Sequence, residues 1–64
     1  MTQKELLYLE DAIGHEDNII KICRETINTL EDENLKVFME EKIKTHTAMH
    51  DKLLGKLEEK SNGW

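Results

Sequence analysis

The chain has no proline, one cysteine, three glycines and one each of phenylalanine, tyrosine and tryptophan. A single cysteine excludes an intrachain disulfide. The shortage of glycine, proline and aromatic residues argues against a β-sandwich, a collagen-like chain or a proline-rich linker. No apolar run is long enough to span a bilayer or to form a signal peptide. These absences leave an α-helical protein without a membrane segment as the expectation.

Charged residues make up 36% of the 64 positions, with 14 acidic and 9 basic side chains and a formal net charge of -5. Such a composition suits long solvated helices. The lysines are scattered and form no basic stripe, so binding to nucleic acid is not expected. We predict one domain over residues 1–64, in a reducing cytoplasm. Chains below about 70 residues usually need disulfides, a metal or oligomerisation to be stable.

Helix one is predicted from residue 3 to about residue 30. Thr2 and Glu5 have the spacing of a capping box, in which each side chain binds the backbone amide of the other residue. Residues then recur at alternating steps of three and four, which places them on one side of a helix. We call this side the seam, and its members in helix one are Leu6, Leu9, Ile13, Glu16, Ile20, Cys23, Ile27 and Leu30.

Helix two is predicted from about residue 33 to about residue 60. The acidic segment before it suits a helix start, with Asp32 as the N-cap. Ser61, Asn62 and Gly63 are expected to end the helix. Its seam members are Leu35, Met39, Ile43, His46, His50, Leu53 and Leu57.

The short break between the helices predicts an all-α antiparallel two-helix hairpin. Two helices can bury only one side of each other, and several apolar residues beside the seam should remain uncovered. These are Leu7, Ile19, Ile22, Phe38, Met49 and Leu54. We therefore expect a homodimer in which two hairpins form a four-helix bundle. A different protein partner would satisfy the same requirement.

Three polar residues interrupt the seam, namely Glu16, His46 and His50. An antiparallel hairpin should bring them to one level, because facing residues then have numbers that add to about 65. The interpretation we favour is structural: a Glu–His hydrogen bond fixes the register of the helices and the oligomeric state, with no cofactor. The layer contains no serine or cysteine nucleophile, so we expect no catalytic residues.

The alternative for the same layer is a metal site. Histidines four residues apart on a helix can point at one cation, and a dimer would supply two glutamates and four histidines to zinc, iron or manganese. Four-helix di-iron sites normally add a glutamate three residues before a histidine. Ile43 and Thr47 occupy those positions here.

Several segments together resemble a known family. They are Lys4-Glu5-Leu6-Leu7, a long first helix ending in Thr26-Ile27, the break at Asp32-Glu33-Asn34-Leu35, a histidine-bearing second helix and a terminal Gly63-Trp64. Over nearly its whole length the chain looks like the spore coat protein F domain of endospore-forming bacteria. That resemblance implies a structural role in sporulation, with the protein located in the spore coat and packed against itself or another coat protein.

The coat family is similar in turn to half of a ferritin-like bundle. Rubrerythrin-type helices of that fold also carry a glutamate where Glu16 stands and a histidine near His46. The wider likeness implies a ferritin-like arrangement of four helices and a possible metal layer, and it implies no activity.

Overall fold

The computed structural model describes the backbone of residues 1–62 and the side chains of residues 1–60. Within this part of the chain there are two α-helices and no strand: α1 spans Gln3–Ile27 and α2 spans Glu33–Asn62. The two helices pack against each other as a hairpin measuring 48 × 15 × 11 Å along its principal axes. The predicted all-α two-helix hairpin is therefore confirmed. Neither helix has a stretch long and apolar enough to cross a membrane.

Both helices begin with the predicted caps. The Glu5 amide donates to Thr2 Oγ1 at 3.1 Å, and the Thr2 amide donates to Glu5 Oε1 at 2.8 Å, which completes the capping box. Asp32 Oδ1 accepts hydrogen bonds from the amides of Asn34 and Leu35 at 2.8 and 3.1 Å. Amides of the first turn have no partner within a helix, so these side chains satisfy donors that would otherwise need water.

The helix ends differ from the prediction. Helix α1 ends at Ile27 and not near residue 30, because the amide and the hydroxyl of Thr29 both donate to the Thr26 carbonyl, at 2.9 and 2.8 Å. A threonine that binds a nearby carbonyl in this way offers the backbone a tight turn in place of another helical turn. Helix α2 continues to Asn62, two residues beyond the predicted end. The predicted stop at Gly63 and the terminal Trp64 lie outside the described residues.

The seam is shallow. Among the residues whose side chains are described, only Ile20 and Cys23 are buried, each with 8% of its surface exposed. Apart from Leu35, the other apolar seam residues of the two helices are half-buried: Leu6, Leu9, Ile13, Ile27, Met39, Ile43, Leu53 and Leu57. A hairpin of two helices therefore does not by itself remove its apolar side chains from water.

One predicted seam residue is misplaced. Leu35 was expected to face α1, but 49% of its surface is exposed, and the half-buried residue in this first turn is Lys36. Steps of three and of four from Met39 are both compatible with a helical side, so the spacing alone does not choose between these neighbours. The methylene chain of a lysine can cover apolar surface while its ammonium group stays in water, as Lys36 does here with its Nζ 3.3 Å from Glu33 Oε1.

Candidate functional site

The polar layer contains a direct hydrogen bond between the helices. His46 Nδ1 lies 2.5 Å from Glu16 Oε2, and the two side chains are 30% and 16% exposed. An ionised carboxylate can only accept, so the histidine ring donates. The hydrogen bond expected across the hairpin is present, and it joins Glu16 to one of the two histidines.

The second histidine has different partners. His50 Nε2 lies 3.0 Å from Asp17 Oδ1, and its Nδ1 lies 3.1 Å from Asp51 Oδ1. The Nδ1 contact with Asp51 has the geometry of a hydrogen bond, whereas the Nε2 contact with Asp17 is an approach within ion-pair distance, which is attractive when the ring is protonated. Neither aspartate was predicted from the sequence to belong to the layer. Their positions in the sequence could have indicated this contact, because Asp17 follows Glu16 and Asp51 follows His50, which places each aspartate one residue from the seam.

The three residues considered for a metal do not converge on one point. Glu16 is engaged by His46, whereas His50 lies between two aspartates. In the part of the chain that the structure describes, no group of three or more His, Cys, Asp or Glu side chains is arranged to hold a metal ion. The same part contains no enclosed pocket and no buried side-chain nitrogen or oxygen without a hydrogen-bond partner. Within the layer, the Glu16–His46 hydrogen bond is the direct side-chain contact between the two helices that has hydrogen-bond geometry.

The contacts of His50 identify one face of the hairpin. Asp17 directly follows a seam residue in α1, Asp51 directly follows one in α2, and both reach the same imidazole. Successive residues of a helix are turned by 100°, so residues that follow seam positions lie on one face. Residues that precede seam positions lie on the opposite face.

The face formed by the residues that precede seam positions is rich in exposed apolar side chains. We call it the apolar face, and its members are Tyr8, Ile19, Ile22, Leu35, Phe38 and Met49. Five of them are between 47% and 61% exposed, and Ile19 is half-buried. Lys42 extends over the Phe38 ring, with its Nζ 5.1 Å from the ring centre. Two further lysines, Lys52 and Lys56, lie on this face toward the end opposite the turn.

The opposite face, which we call the charged face, carries acidic and basic side chains in mixture. They are Glu10, Asp17, Lys21, Arg24, Glu40, Lys44, Asp51 and Glu58. Its exposed large apolar residues are Leu7 and Val37, at 56% and 53%, and they stand near opposite ends of the hairpin. Leu54 on this face is half-buried. From the sequence, Leu7 and Leu54 were predicted to form one uncovered apolar surface with Ile19, Ile22, Phe38 and Met49. In the structure they lie on the opposite face of the hairpin.

The surface of the chain is large for its mass. Its accessible area is 5056 Å², whereas a compact monomer of 7.5 kDa is expected to expose about 4,250 Å². The radius of gyration is 14.8 Å, compared with about 11 Å for a compact domain of this length. The hairpin thus leaves about 800 Å² more in contact with solvent than a compact fold would.

Comparison with models of protein families, with curated proteins and with solved structures finds no match to this chain.

Proposed function

We propose that the protein is a small self-associating helical module with a structural or interaction role, in which two hairpins form a four-helix bundle. The single observation that carries this proposal is the concentration of exposed apolar side chains on one face of a hairpin that buries only Ile20 and Cys23 among its described side chains. Burial of apolar surface is the main source of stability in small domains. A second copy would supply the surface that one hairpin lacks.

The surface area supports a partner of this size. A typical stable protein interface buries about 800 Å² on each partner, which matches the excess of about 800 Å² over a compact monomer. A dimer of hairpins would therefore reach an ordinary degree of burial without any further domain. Four helices packed around a common core are also a frequent solution for amphipathic helices with short connections.

The polar layer has a defined part in this proposal. The Glu16–His46 and Asp17–His50 contacts join consecutive residues of α1 to residues four apart in α2. If α2 slipped along α1 by one turn, both contacts would break and the carboxylate of Glu16 would remain largely buried without a partner, which is costly. The layer therefore fixes the register of the hairpin and, through it, the position of every residue on the apolar face.

The biological setting of the proposal comes from the resemblance to the spore coat protein F domain. In that setting the module would act as a packing unit of the protein shell of a spore. A second coat protein with a matching apolar surface is the natural alternative to a second copy of the chain, because the same face would serve both.

Sedimentation equilibrium over a range of micromolar concentrations tests the proposal. We expect a mass of twice 7.5 kDa that persists in the presence of a chelator, with full helical content by circular dichroism. A folded monomer throughout this range would overturn it. Since the hairpin and the dimer stabilise each other, dilution is expected to reduce helicity and mass together.

The second candidate is a ferritin-like metal-binding bundle that uses Glu16, His46 and His50 with zinc, iron or manganese. The close approach of a carboxylate and an imidazole between the helices is the observation that favours it. Elemental analysis of protein purified without a histidine tag tests this candidate, with the His46→Ala, His50→Ala double variant as the control. Less than one metal ion per two chains, or equal metal in the variant, would end it.

A further inference from the structure

We infer that the apolar face is the docking surface for the second copy. The two hairpins pack face to face, with the turn of one beside the end of the other at which α1 begins and α2 ends. The two-fold axis then runs perpendicular to the long axis of the hairpin and passes near Ile19. This inference rests on the proposed self-association and specifies which side chains carry it. Three features of the hairpin support it: the face on which the exposed apolar residues lie, their distribution along the long axis, and the charges at the two ends.

The apolar side chains are divided unequally between the two faces. The residues that precede seam positions include six large apolar side chains, whereas the charged face exposes only Leu7 and Val37 to a similar extent. Those two stand about 30 Å apart along the hairpin, since about twenty residues of helix separate their levels at 1.5 Å each. Leu7 and Val37 are therefore too far apart to belong to one apolar contact surface. The apolar face is continuous by comparison, because five of its six members, all but Tyr8, stand at successive levels no more than about 8 Å apart along the hairpin.

Apart from Phe38, these side chains are distributed symmetrically along the hairpin about Ile19. The observed contacts pair residues whose numbers add to about 65, which puts Ile19 level with His46, near the middle of α2. Leu35 and Tyr8 then lie about 16 Å from that level in opposite directions. A perpendicular two-fold axis near Ile19 would bring Leu35 of one copy to the level of Tyr8 of the partner copy, and Ile22 to the level of Met49, on neighbouring helices.

Charge selects the same orientation. The turn presents three exposed carboxylates in sequence, Glu31, Asp32 and Glu33. The far end of the apolar face carries Lys52 and Lys56, together with Glu5, whose carboxylate is bound by the Thr2 amide. In the opposed arrangement each acidic turn approaches the lysines of the other copy, which is favourable. With the axis parallel to the hairpin, the two acidic turns would meet, and like charges at a contact oppose association.

Matched pairs of substitutions test the choice of face. Ile22→Asp and Phe38→Asp alter residues of the apolar face that are 52% and 51% exposed in the hairpin, and Val37→Asp and Leu7→Asp alter residues of the charged face that are 53% and 56% exposed. A charge buried in the interface without a partner is costly, so the first pair should weaken dimerisation at least tenfold. The second pair should change it less than threefold. Sedimentation equilibrium measures the dimer constants.

The results separate this inference from the proposed function. Suppose that the unaltered protein is a dimer. If both pairs of variants weaken dimerisation equally, or if only the charged-face pair weakens it, the proposed docking surface is wrong and the proposed self-association stands. If the unaltered protein is a folded monomer, both fail. Circular dichroism at concentrations above the dimer constant of each variant checks that the hairpin itself still forms.

Crosslinking between two members of the apolar face tests the orientation of the two hairpins. In a Cys23→Ala background, Tyr8→Cys and Leu35→Cys proteins are mixed in equal amounts and treated with a short bis-maleimide. We expect the mixed Tyr8–Leu35 product. The Tyr8→Cys protein alone should give almost none, because its two sites would be about 33 Å apart. Efficient crosslinking of Tyr8→Cys to itself would overturn the opposed arrangement.

Discussion

The hydrogen bond between Glu16 and His46 offers a quantitative test of the polar layer. A double-mutant cycle with Glu16→Ala, His46→Ala and the double variant isolates the energy of the pair from the effects of each truncation. A hydrogen bond to a charged group contributes about 1.5–3 kcal/mol when buried. Because the two side chains retain 16% and 30% of their exposure, we expect a coupling energy near or somewhat below the lower end of that range, about 1–2 kcal/mol.

The Asp17–His50 contact provides the internal comparison. Its two atoms are 3.0 Å apart, but the Asp17 side chain is 65% exposed. Ion pairs at exposed positions usually contribute between about 0.2 and 1 kcal/mol. A second cycle on this pair should therefore give less than about 0.5 kcal/mol. The structure predicts a clear order for the two couplings, although the sequence treats both histidines alike.

Urea unfolding followed by circular dichroism measures both cycles. All variants must be compared at one chain concentration, because the proposed self-association would make the stability depend on it. The whole free energy of unfolding of a chain of this length is expected to be about 3–10 kcal/mol, so a coupling of 1–2 kcal/mol moves the midpoint visibly. Couplings of equal size, or a Glu16–His46 coupling near zero with chelator present, would refute the structural account of the layer.

Three further predictions concern the helices. Ile20→Asp should cost at least about 3 kcal/mol and remove most helical signal, because it places an unpaired charge at one of the most buried positions; an unchanged spectrum would contradict the seam. Gly14→Ala and Gly55→Ala should each raise the free energy of unfolding by about 0.5–1 kcal/mol, since an added Cβ meets no atom within 4 Å; destabilisation would be the contrary outcome. The pKa of Glu5 lies below its usual 4.5, chiefly because the Thr2 backbone amide donates to its carboxylate and secondarily through the Thr2 side chain. Its stabilising contribution is complete above the usual value and is lost as the pH falls through the lowered pKa, so Glu5→Gln should reduce the loss of helicity on acid titration.

The local features of the fold could be predicted from the sequence because they depend on neighbours along the chain. A threonine three residues before a glutamate forms the first cap, and the side chain of Asp32 forms the second. The alternating steps of three and four place Ile20 and Cys23 on the side that becomes buried. The end of α1 was wrong because it depends on the competition of Thr29 for one carbonyl, which the periodicity of apolar residues does not record.

The site was only partly predictable. Because facing residues have numbers that add to about 65, the sequence placed Glu16 at the level of the histidines. It did not show which of the two histidines forms the hydrogen bond with Glu16. Asp17 and Asp51 were missed because aspartates beside a seam usually face water, and their contact with His50 arises only when two helices place them on the same side of one ring. Sequence spacing likewise did not show that Leu7 and Leu54 lie away from Ile19, Ile22 and their neighbours.

By itself the sequence determined that this chain forms two capped amphipathic helices with too little apolar material for a closed core, because capping and helical periodicity are short-range properties. Only the tertiary structure decided the partners of the histidines and the division of the exposed apolar side chains between two faces. Those features depend on how far each helix is rotated about its own axis against the other. That rotation is set by packing along the whole length of the hairpin, and it is encoded in no single segment.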